Sequence, residues 1–226
     1  MIWHDFPIAV HRTARRKTMS IVIERDGSIA VQIPNSMSDD QIVDILNKKE
    51  YEIYQKRALW QEANREHITR QYLSGQSFLY LGKNYLLSIV HGQKRHLIFR
   101  NGTFLLSSEA QNPKMDFIRF YKRQARIKIA ERLEILRPRI TRMPNMIQIR
   151  EMPTRWGSCT PQGNVYYNWR CVMTPLFVLD YLIVHELIHL EYPDHSREFW
   201  FRMSEILPEY NLAKDWLNIN GVRTEL

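Results

Sequence analysis

The sequence predicts an α+β protein in which a β-rich amino-terminal region is followed by a helical core that contains a β-hairpin. Three observations lead to this class. Paired β-rich runs with short turns fill the first half of the chain, an amphipathic segment begins near residue 113, and an apolar helical segment begins near residue 175. Strands followed by helices are typical of α+β proteins.

The first hairpin is predicted over residues 17–34, where two β-rich runs flank an Asp-Gly pair at 26–27. An Asp-Gly pair between such runs is a strong short-range hairpin signal. Beyond this hairpin, Ser38 and Gln41 have the spacing of a capping box. The Ala-, Leu-, Glu- and Lys-rich segment 39–68 therefore predicts a helix, continuous or broken.

Two further hairpins are predicted at FLYLGKNYLLSIV (78–90) and HLIFRNGTFLLSS (96–108). The first is expected to turn near residues 82–84 and the second at Asn101-Gly102. We therefore assign residues 1–108 to a β-rich accessory region with one long helix, and residues 109–226 to a second region.

The second region begins with a predicted amphipathic helix from about Pro113 to Leu136. Its apolar stripe consists of Ile118, Tyr121, Ala125, Ile129 and Leu136, and its basic flank of Arg119, Arg123 and Arg126. A basic flank is typical of a solvated helix face, and a phosphate-contacting face is the alternative. A third β segment follows, with MIQIREMPTRWGSC and NVYYNWRCV on either side of a turn at 161–164.

The charge balance is basic, with 32 Lys plus Arg against 24 Asp plus Glu and a net charge of +8. Such an excess attracts nucleic acid, anionic membranes or acidic proteins non-specifically, so nucleic acid is a possible partner and none is identified. No segment approaches the roughly 18 apolar residues of a membrane span, and no secretory signal is recognisable. We expect a cytoplasmic protein without membrane association, in which Cys159 and Cys171 are free thiols.

A helix is predicted over PLFVLDYLIVHELIHLEY (175–192), because Thr174 and Pro175 suit its N-cap and first turn and the next proline stops it. Either Asp194 or Ser196 is expected to cap the helix that follows.

This helix carries the HExxH pattern. Residues four apart lie on one helix face, so His185 and His189 can direct imidazole nitrogens at one metal ion. Glu186 is one residue further round and can reach a water molecule on that ion. The pattern therefore indicates a zinc site with an adjacent general base.

Two imidazoles are not enough, because catalytic zinc normally takes three protein ligands and leaves a fourth position for water. His195 lies six residues after His189, just beyond the helix stop at Pro193, where the chain can fold back under the ion. Glu205, sixteen residues after His189, is the alternative ligand. We favour His195 because Pro193 leaves it on a short, stiff connection.

At this point the sequence resembles the YgjP-like metallopeptidase family, metal-dependent hydrolases with a zincin-like fold that are related to the SprT-like and WLM proteases. The resemblance covers nearly the whole chain through RRKTMSIVIERDGSIAVQIP, FLYLGKNYLLSIV, TRWGSC, GNVYYNWR, VLDYLIVHELIHL, DHSREFW and LPEY. It implies that His185, His189 and His195 are zinc ligands and that Glu186 is the catalytic base. Asp194 stands where family members usually have Asn, which affects only the local cap and charge.

The sequence thus predicts a Zn²⁺-dependent peptidase that acts on protein or peptide substrates. Tyr210 in LPEY and Arg155 in TRWGSC are candidates for stabilising the oxyanion. In a zincin-like fold, GNVYYNWR (163–170) would be an edge strand along which a peptide pairs. One alternative is a nucleic-acid-associated protein whose zinc site is secondary or acts only on DNA-bound partners. Another is a zinc-stabilised interaction domain, which would have no use for Glu186.

Overall fold

The computed structural model describes residues 1–4, 6–14, 18–23, 28–63, 70–152, 155–224 and 226. Within these residues the protein is a mixed α+β structure with six α-helices and three small sheets. The chain forms two compact units, residues 1–67 with 218–222 and residues 68–217 with 223–226.

The first unit contains a four-stranded sheet. Its strands are β1 (Ile2–Trp3), β2 (Phe6–Thr13), β3 (Ser20–Ile23) and β4 (Ile29–Pro34), in the order β1-β2-β4-β3. Strands β3 and β4 pair antiparallel, which confirms the strands of the first predicted hairpin. Its Asp-Gly turn lies outside the described residues. Strand β2 pairs with β4 in parallel.

The predicted helix of this unit is broken in two, α1 (Asp39–Lys48) and α2 (Glu50–Ala63). The capping box is confirmed, since Gln41 N donates to Ser38 Oγ at 3.3 Å and Ser38 N donates to Gln41 Oε1 at 3.0 Å. The last residues of the prediction, 64–68, lie outside the described residues. A separate apolar core forms in this unit from Trp3, Ile8, Ile29, Val31, Ile33, Ile42, Leu46 and Ile53.

The second unit begins with another four-stranded sheet. Its strands are β5 (Ser77–Tyr80), β6 (Lys83–Val90), β7 (Leu97–Arg100) and β8 (Thr103–Ser107), in the order β5-β6-β8-β7. Both predicted hairpins are confirmed. In the first, Tyr80 pairs with Lys83, so the turn is Leu81-Gly82 and begins one residue earlier than predicted. A parallel pairing of β6 with β8 joins the two hairpins.

The turn between β5 and β6 fixes the start of a later helix. Leu81 N donates to Val172 O at 3.0 Å, and Gly82 N donates to Met173 O at 2.9 Å. Gly82 has φ +77°, and a Cβ atom there would lie 2.6 Å from Pro175 Cγ. Because glycine alone suits both the dihedral and the contact, this turn can lie directly against Pro175.

The helix predicted after these hairpins is confirmed as α3 (Pro113–Leu136), and all five residues of its apolar stripe are buried. Tyr121 donates from its hydroxyl to Leu79 O at 2.7 Å and stacks on Trp169 at a centroid distance of 5.8 Å. On the basic flank, Arg119 pairs with Asp116 at 3.3 Å, and the Arg123 guanidinium lies 5.7 Å from the Phe120 ring centroid. These two arginines therefore have partners on their own helix. The helices that the structure describes include none with the length and hydropathy of a membrane span.

The third sheet has the order β10-β11-β9, from β9 (Met146–Arg150), β10 (Gly157–Cys159) and β11 (Asn164–Asn168). Strand β11 pairs antiparallel with β10 and parallel with β9. Strand β11 is therefore the central strand of this sheet, between β10 and β9, and the prediction that GNVYYNWR forms an edge strand is wrong. The edge strands of the sheet are β9 and β10.

The units divide near residue 67, whereas the sequence suggested a division at 108. The reason lies in the apolar core of the second unit, which strands β5–β8 share with α3 and the later elements. Phe78 of β5 stacks on Phe117 of α3 at 4.1 Å, and Phe104 of β8 lies 5.2 Å from the same ring. The hairpins of 77–107 therefore belong to the unit that contains the HExxH helix.

An ion pair connects α3 to that helix. Arg132 donates from Nε to Asp180 Oδ1 and from a terminal nitrogen to Asp180 Oδ2, both at 2.7 Å, and the two side chains are 23% and 12% exposed.

We expect Asp180→Ala to lower the free energy of unfolding by about 2–4 kcal/mol, because Arg132 is left largely buried without its carboxylate. Urea unfolding measures this change. As a control, Glu131→Ala removes the more exposed ion pair between Glu131 and Lys128, and it should lower the free energy of unfolding by under about 1 kcal/mol. Equal losses would contradict the expectation.

Candidate metal centre

The HExxH helix is α4 (Leu176–Ile188), and most of its residues are buried. Pro175 occupies its N-cap without a side-chain hydrogen bond, so the prediction that Thr174 is the N-cap is wrong. Thr174 instead closes the preceding 3₁₀ turn (Trp169–Met173), where its hydroxyl donates to Cys171 O at 2.7 Å. The helix therefore begins one residue later than expected.

The helix ends at Ile188, earlier than the predicted residue 192. His189 has φ −62° and ψ −14° at the C-cap, and the chain then tightens into a turn in which Tyr192 N donates to Ile188 O at 2.8 Å. The next helix, α5 (Arg197–Ile206), is capped by Ser196, whose Oγ accepts from the backbone of the third helical residue at 3.4 Å. This tight connection returns the chain to the end of α4.

As a result, three imidazole rings lie together. The ring centroids of His185, His189 and His195 are 4.8–4.9 Å apart in every pair. Phe199 of α5 is fully buried and lies 4.7–5.0 Å from all three rings. An apolar wall thus supports the cluster from one side.

The spacing of the nitrogen atoms fits a small metal ion. One ligand atom from each imidazole lies within 4.8 Å of the others, and His185 Nε2 is 3.1 Å from His195 Nε2. Two nitrogens that each lie about 2.0–2.1 Å from one tetrahedral Zn²⁺ would be roughly 3.4 Å apart. Imidazole is a preferred ligand of Zn²⁺, so the donor set fits this ion.

The local environment keeps two of the rings suited to ligation. His189 Nδ1 lies 3.0 Å from Tyr192 O, and since a carbonyl only accepts, this nitrogen carries the proton and leaves the Nε2 lone pair free. Burial lowers the pKa of His185 to about 3, with smaller contributions from His189, His195 and Lys214. His185 is therefore neutral at physiological pH. Its Nδ1 is buried with no hydrogen-bond partner among the described residues.

Glu186 is only 6% exposed. Burial raises the pKa of its carboxyl to about 8, and the charge of Arg155 opposes this rise. Within the described part of the chain we find no hydrogen bond to the carboxylate. Among the described residues, packing contacts and the charge of Arg155 act on its position.

Aromatic rings continue outward from His195. Trp200 of α5 stacks on His195 at 5.7 Å and on Tyr210 at 5.4 Å, with interplanar angles of 24° and 21°. Tyr210 begins α6 (Tyr210–Asn220), and Lys214, one turn later, places Nζ 4.5 Å from the Trp200 ring centroid. A cation thus lies near the exposed side of the histidine cluster.

The other predicted site residues differ in their placement. Tyr210 stacks on Trp200, which in turn stacks on His195, and Arg155 is exposed but close enough to influence the Glu186 carboxyl. Glu205 is exposed on α5 and pairs with Arg202 at 3.1 Å, and it is not part of the histidine cluster.

Sequence reasoning missed three contributors, namely Phe199, Lys214 and Gly157, where a Cβ atom would lie 2.6 Å from Glu186 Oε1. Phe199 lies four residues after His195, in the first turn of the helix capped by Ser196, so its closeness to His195 has a local signal in the sequence. Lys214 and Gly157 reach the site only through tertiary packing, so neither has a local signal.

The family model described as YgjP-like, metallopeptidase domain matches residues 17–220. Among solved structures, the crystal structure of the metallopeptidase zymogen of Pyrococcus abyssi abylysin is similar at 17% identity and a TM-score of 0.34. The match covers 41% of this chain and 90% of that chain. No curated protein matches the chain. Because the family match spans most of its length, the chain belongs to the YgjP-like metallopeptidase family.

Proposed function

We propose that the protein is a zinc-dependent peptidase of zincin-like fold that cleaves peptide bonds in protein or peptide substrates in the cytoplasm. One observation carries the proposal. Three imidazoles converge at the end of a buried helix, and a buried carboxylate adjoins the first of them in the chain. Membership of a metallopeptidase family supports the same class of reaction.

His185, His189 and His195 would hold the ion. Zn²⁺ bound there supplies a Lewis acid that lowers the pKa of water toward about 7 and polarises the scissile carbonyl. The rigid α4 helix presents two of these imidazoles, and the Tyr192 carbonyl orients the second. Phe199 excludes water from one side of the cluster.

Glu186 is the proposed general base. Its carboxylate accepts a proton from the attacking water and passes that proton to the leaving amine. Burial raises the pKa of this carboxyl, and the positive charges of Arg155 and of a bound ion would lower it, which favours the ionised form that accepts the proton.

Two residues are proposed to stabilise the oxyanion. Arg155 is supported by its electrostatic influence on Glu186, and Tyr210 by its place in the ring stack that adjoins His195. Strand β10, which carries Gly157 at a sheet edge, replaces β11 as the strand along which an extended peptide would lie.

Chelation tests the proposal. We expect metal-replete protein to cleave members of a peptide library, and removal of the metal by a chelator to abolish cleavage. One equivalent of Zn²⁺ should restore it, whereas Mg²⁺, which prefers oxygen ligands, should not. Metal analysis and mass spectrometry of the cleaved peptides provide the measurement. If the zinc-replete protein cleaves no member of the library, the peptidase proposal is wrong.

A further inference from the structure

Gly157 lies directly against the carboxylate of Glu186. A Cβ atom at residue 157 would be 2.6 Å from Glu186 Cγ and Oε1 and 2.7 Å from Cδ. Real Cβ atoms essentially never come within 3.0 Å of another heavy atom in this way. Gly157 does not have a positive φ, so its backbone conformation does not demand glycine. The close approach to Glu186 is what demands it.

The backbone that forms this contact is held firmly. Gly157 pairs with Tyr167 across the β10–β11 ladder, and the fully buried Tyr167 donates from its hydroxyl to Ile183 O of α4 at 3.1 Å. Asn168 fixes the approach to β10, since its backbone N donates to Trp156 O at 2.8 Å. The helix that carries Glu186 and the strand that carries Gly157 are therefore tied together next to the contact.

The Glu186 side chain has few other constraints. It is almost fully buried and has no hydrogen bond within the described part of the chain, so its packing contacts, including the one with Gly157, constrain its rotamer. Any side chain at residue 157 would occupy the space that Cγ, Cδ and Oε1 now fill. Such a side chain would force Glu186 into another rotamer.

We propose that Gly157 is a positioning residue for the general base, because its missing side chain lets the Glu186 carboxylate lie directly against the backbone of β10. This inference rests on the proposed function for the role of Glu186, but the contact itself does not. Displacement of a catalytic group by about 1 Å can cost roughly 100-fold in rate. Gly157→Ala should therefore lower kcat by about that factor with little change in KM or zinc content.

A double-mutant cycle on turnover separates positioning from other roles. If Gly157 acts only through Glu186, Gly157→Ala should lower kcat in the wild-type background and cause no further loss in a Glu186→Gln background. Additive losses would overturn the proposal, because they would assign Gly157 a role independent of the carboxylate. Ser88→Ala, a change of similar size on strand β6 of a different sheet, is the control and should leave kcat unchanged in both backgrounds.

A second cycle needs no turnover. In the wild-type background Gly157→Ala should lower Tm by roughly 3–10 °C, as overpacking of a buried site does. In a Glu186→Ala background the three opposing atoms are gone, so the same change should cost nothing or raise Tm. Equal effects in the two backgrounds, whether large or absent, would overturn the contact. Coupled Tm values together with a wild-type protein that cleaves no peptide would support the contact and reject the proposed function instead.

Discussion

Glu186→Gln is expected to retain about one zinc ion per chain and the native fold while lowering peptide hydrolysis by about 10²- to 10⁴-fold. The amide has the same shape as the carboxylate but cannot accept a proton. The buried site should tolerate it, since no hydrogen bond to the Glu186 carboxylate is found in the described part of the chain. Metal analysis, circular dichroism and single-turnover rates on a peptide selected from the library measure the three quantities.

Glu198→Gln is the matched control for this change. Glu198 is an exposed carboxylate in the first turn of α5, and its substitution should leave zinc content and turnover at wild-type values. Hydrolysis by the Glu186 variant at a rate near that of the control would refute the assignment of the base.

His195→Ala is expected to weaken zinc binding by at least about 100-fold, because the number of protein ligands falls from three imidazoles to two. Metal binding is coupled to stability, so zinc should raise the Tm of the wild-type protein far more than that of the variant. Competition with a chromophoric chelator gives the affinity, and melting with and without zinc gives the coupling. In the metal-free state the two proteins should melt at similar temperatures, since the His195 side chain is exposed.

Glu205→Ala distinguishes the two candidate third ligands. Glu205 is exposed and already paired with Arg202, so zinc affinity should not change when it is removed. Zinc lost in this variant and retained in His195→Ala would assign the third ligand to the carboxylate.

Local signals predicted much of the architecture. An Asn-Gly turn, a capping box and the period of an apolar stripe depend on residues within a few positions of one another, so the β7–β8 hairpin, the start of α1 and the whole of α3 follow from short stretches of sequence. The approach of His185, His189 and His195 was predicted for the same reason. Helical spacing sets the first two, and a tight connection of a few residues brings the third to them.

Long-range pairings could not be predicted in this way. The parallel pairing of β9 with β11 joins strands that are separated by another strand in the sequence. Because of this pairing, β11 lies in the centre of its sheet and not at the predicted edge. The boundary near residue 67 depends on which helices cover strands β5–β8. The contact of Gly157 with Glu186 joins residues from a strand and a helix that sequence spacing does not relate.

The docking of the Leu81-Gly82 turn limits how this protein can be trimmed or recombined. A fragment that starts at residue 109 would lose the partners of Val172 and Met173 and the buried rings of Phe78 and Phe104. Each such ring contributes about 1.5–3 kcal/mol through its burial, so the loss would remove much of the stability of an ordinary domain. A fragment that contains the HExxH helix without these hairpins is therefore not expected to fold on its own. Truncated or fused versions of the protein that are meant to keep the histidine cluster must also include the hairpins of residues 77–107.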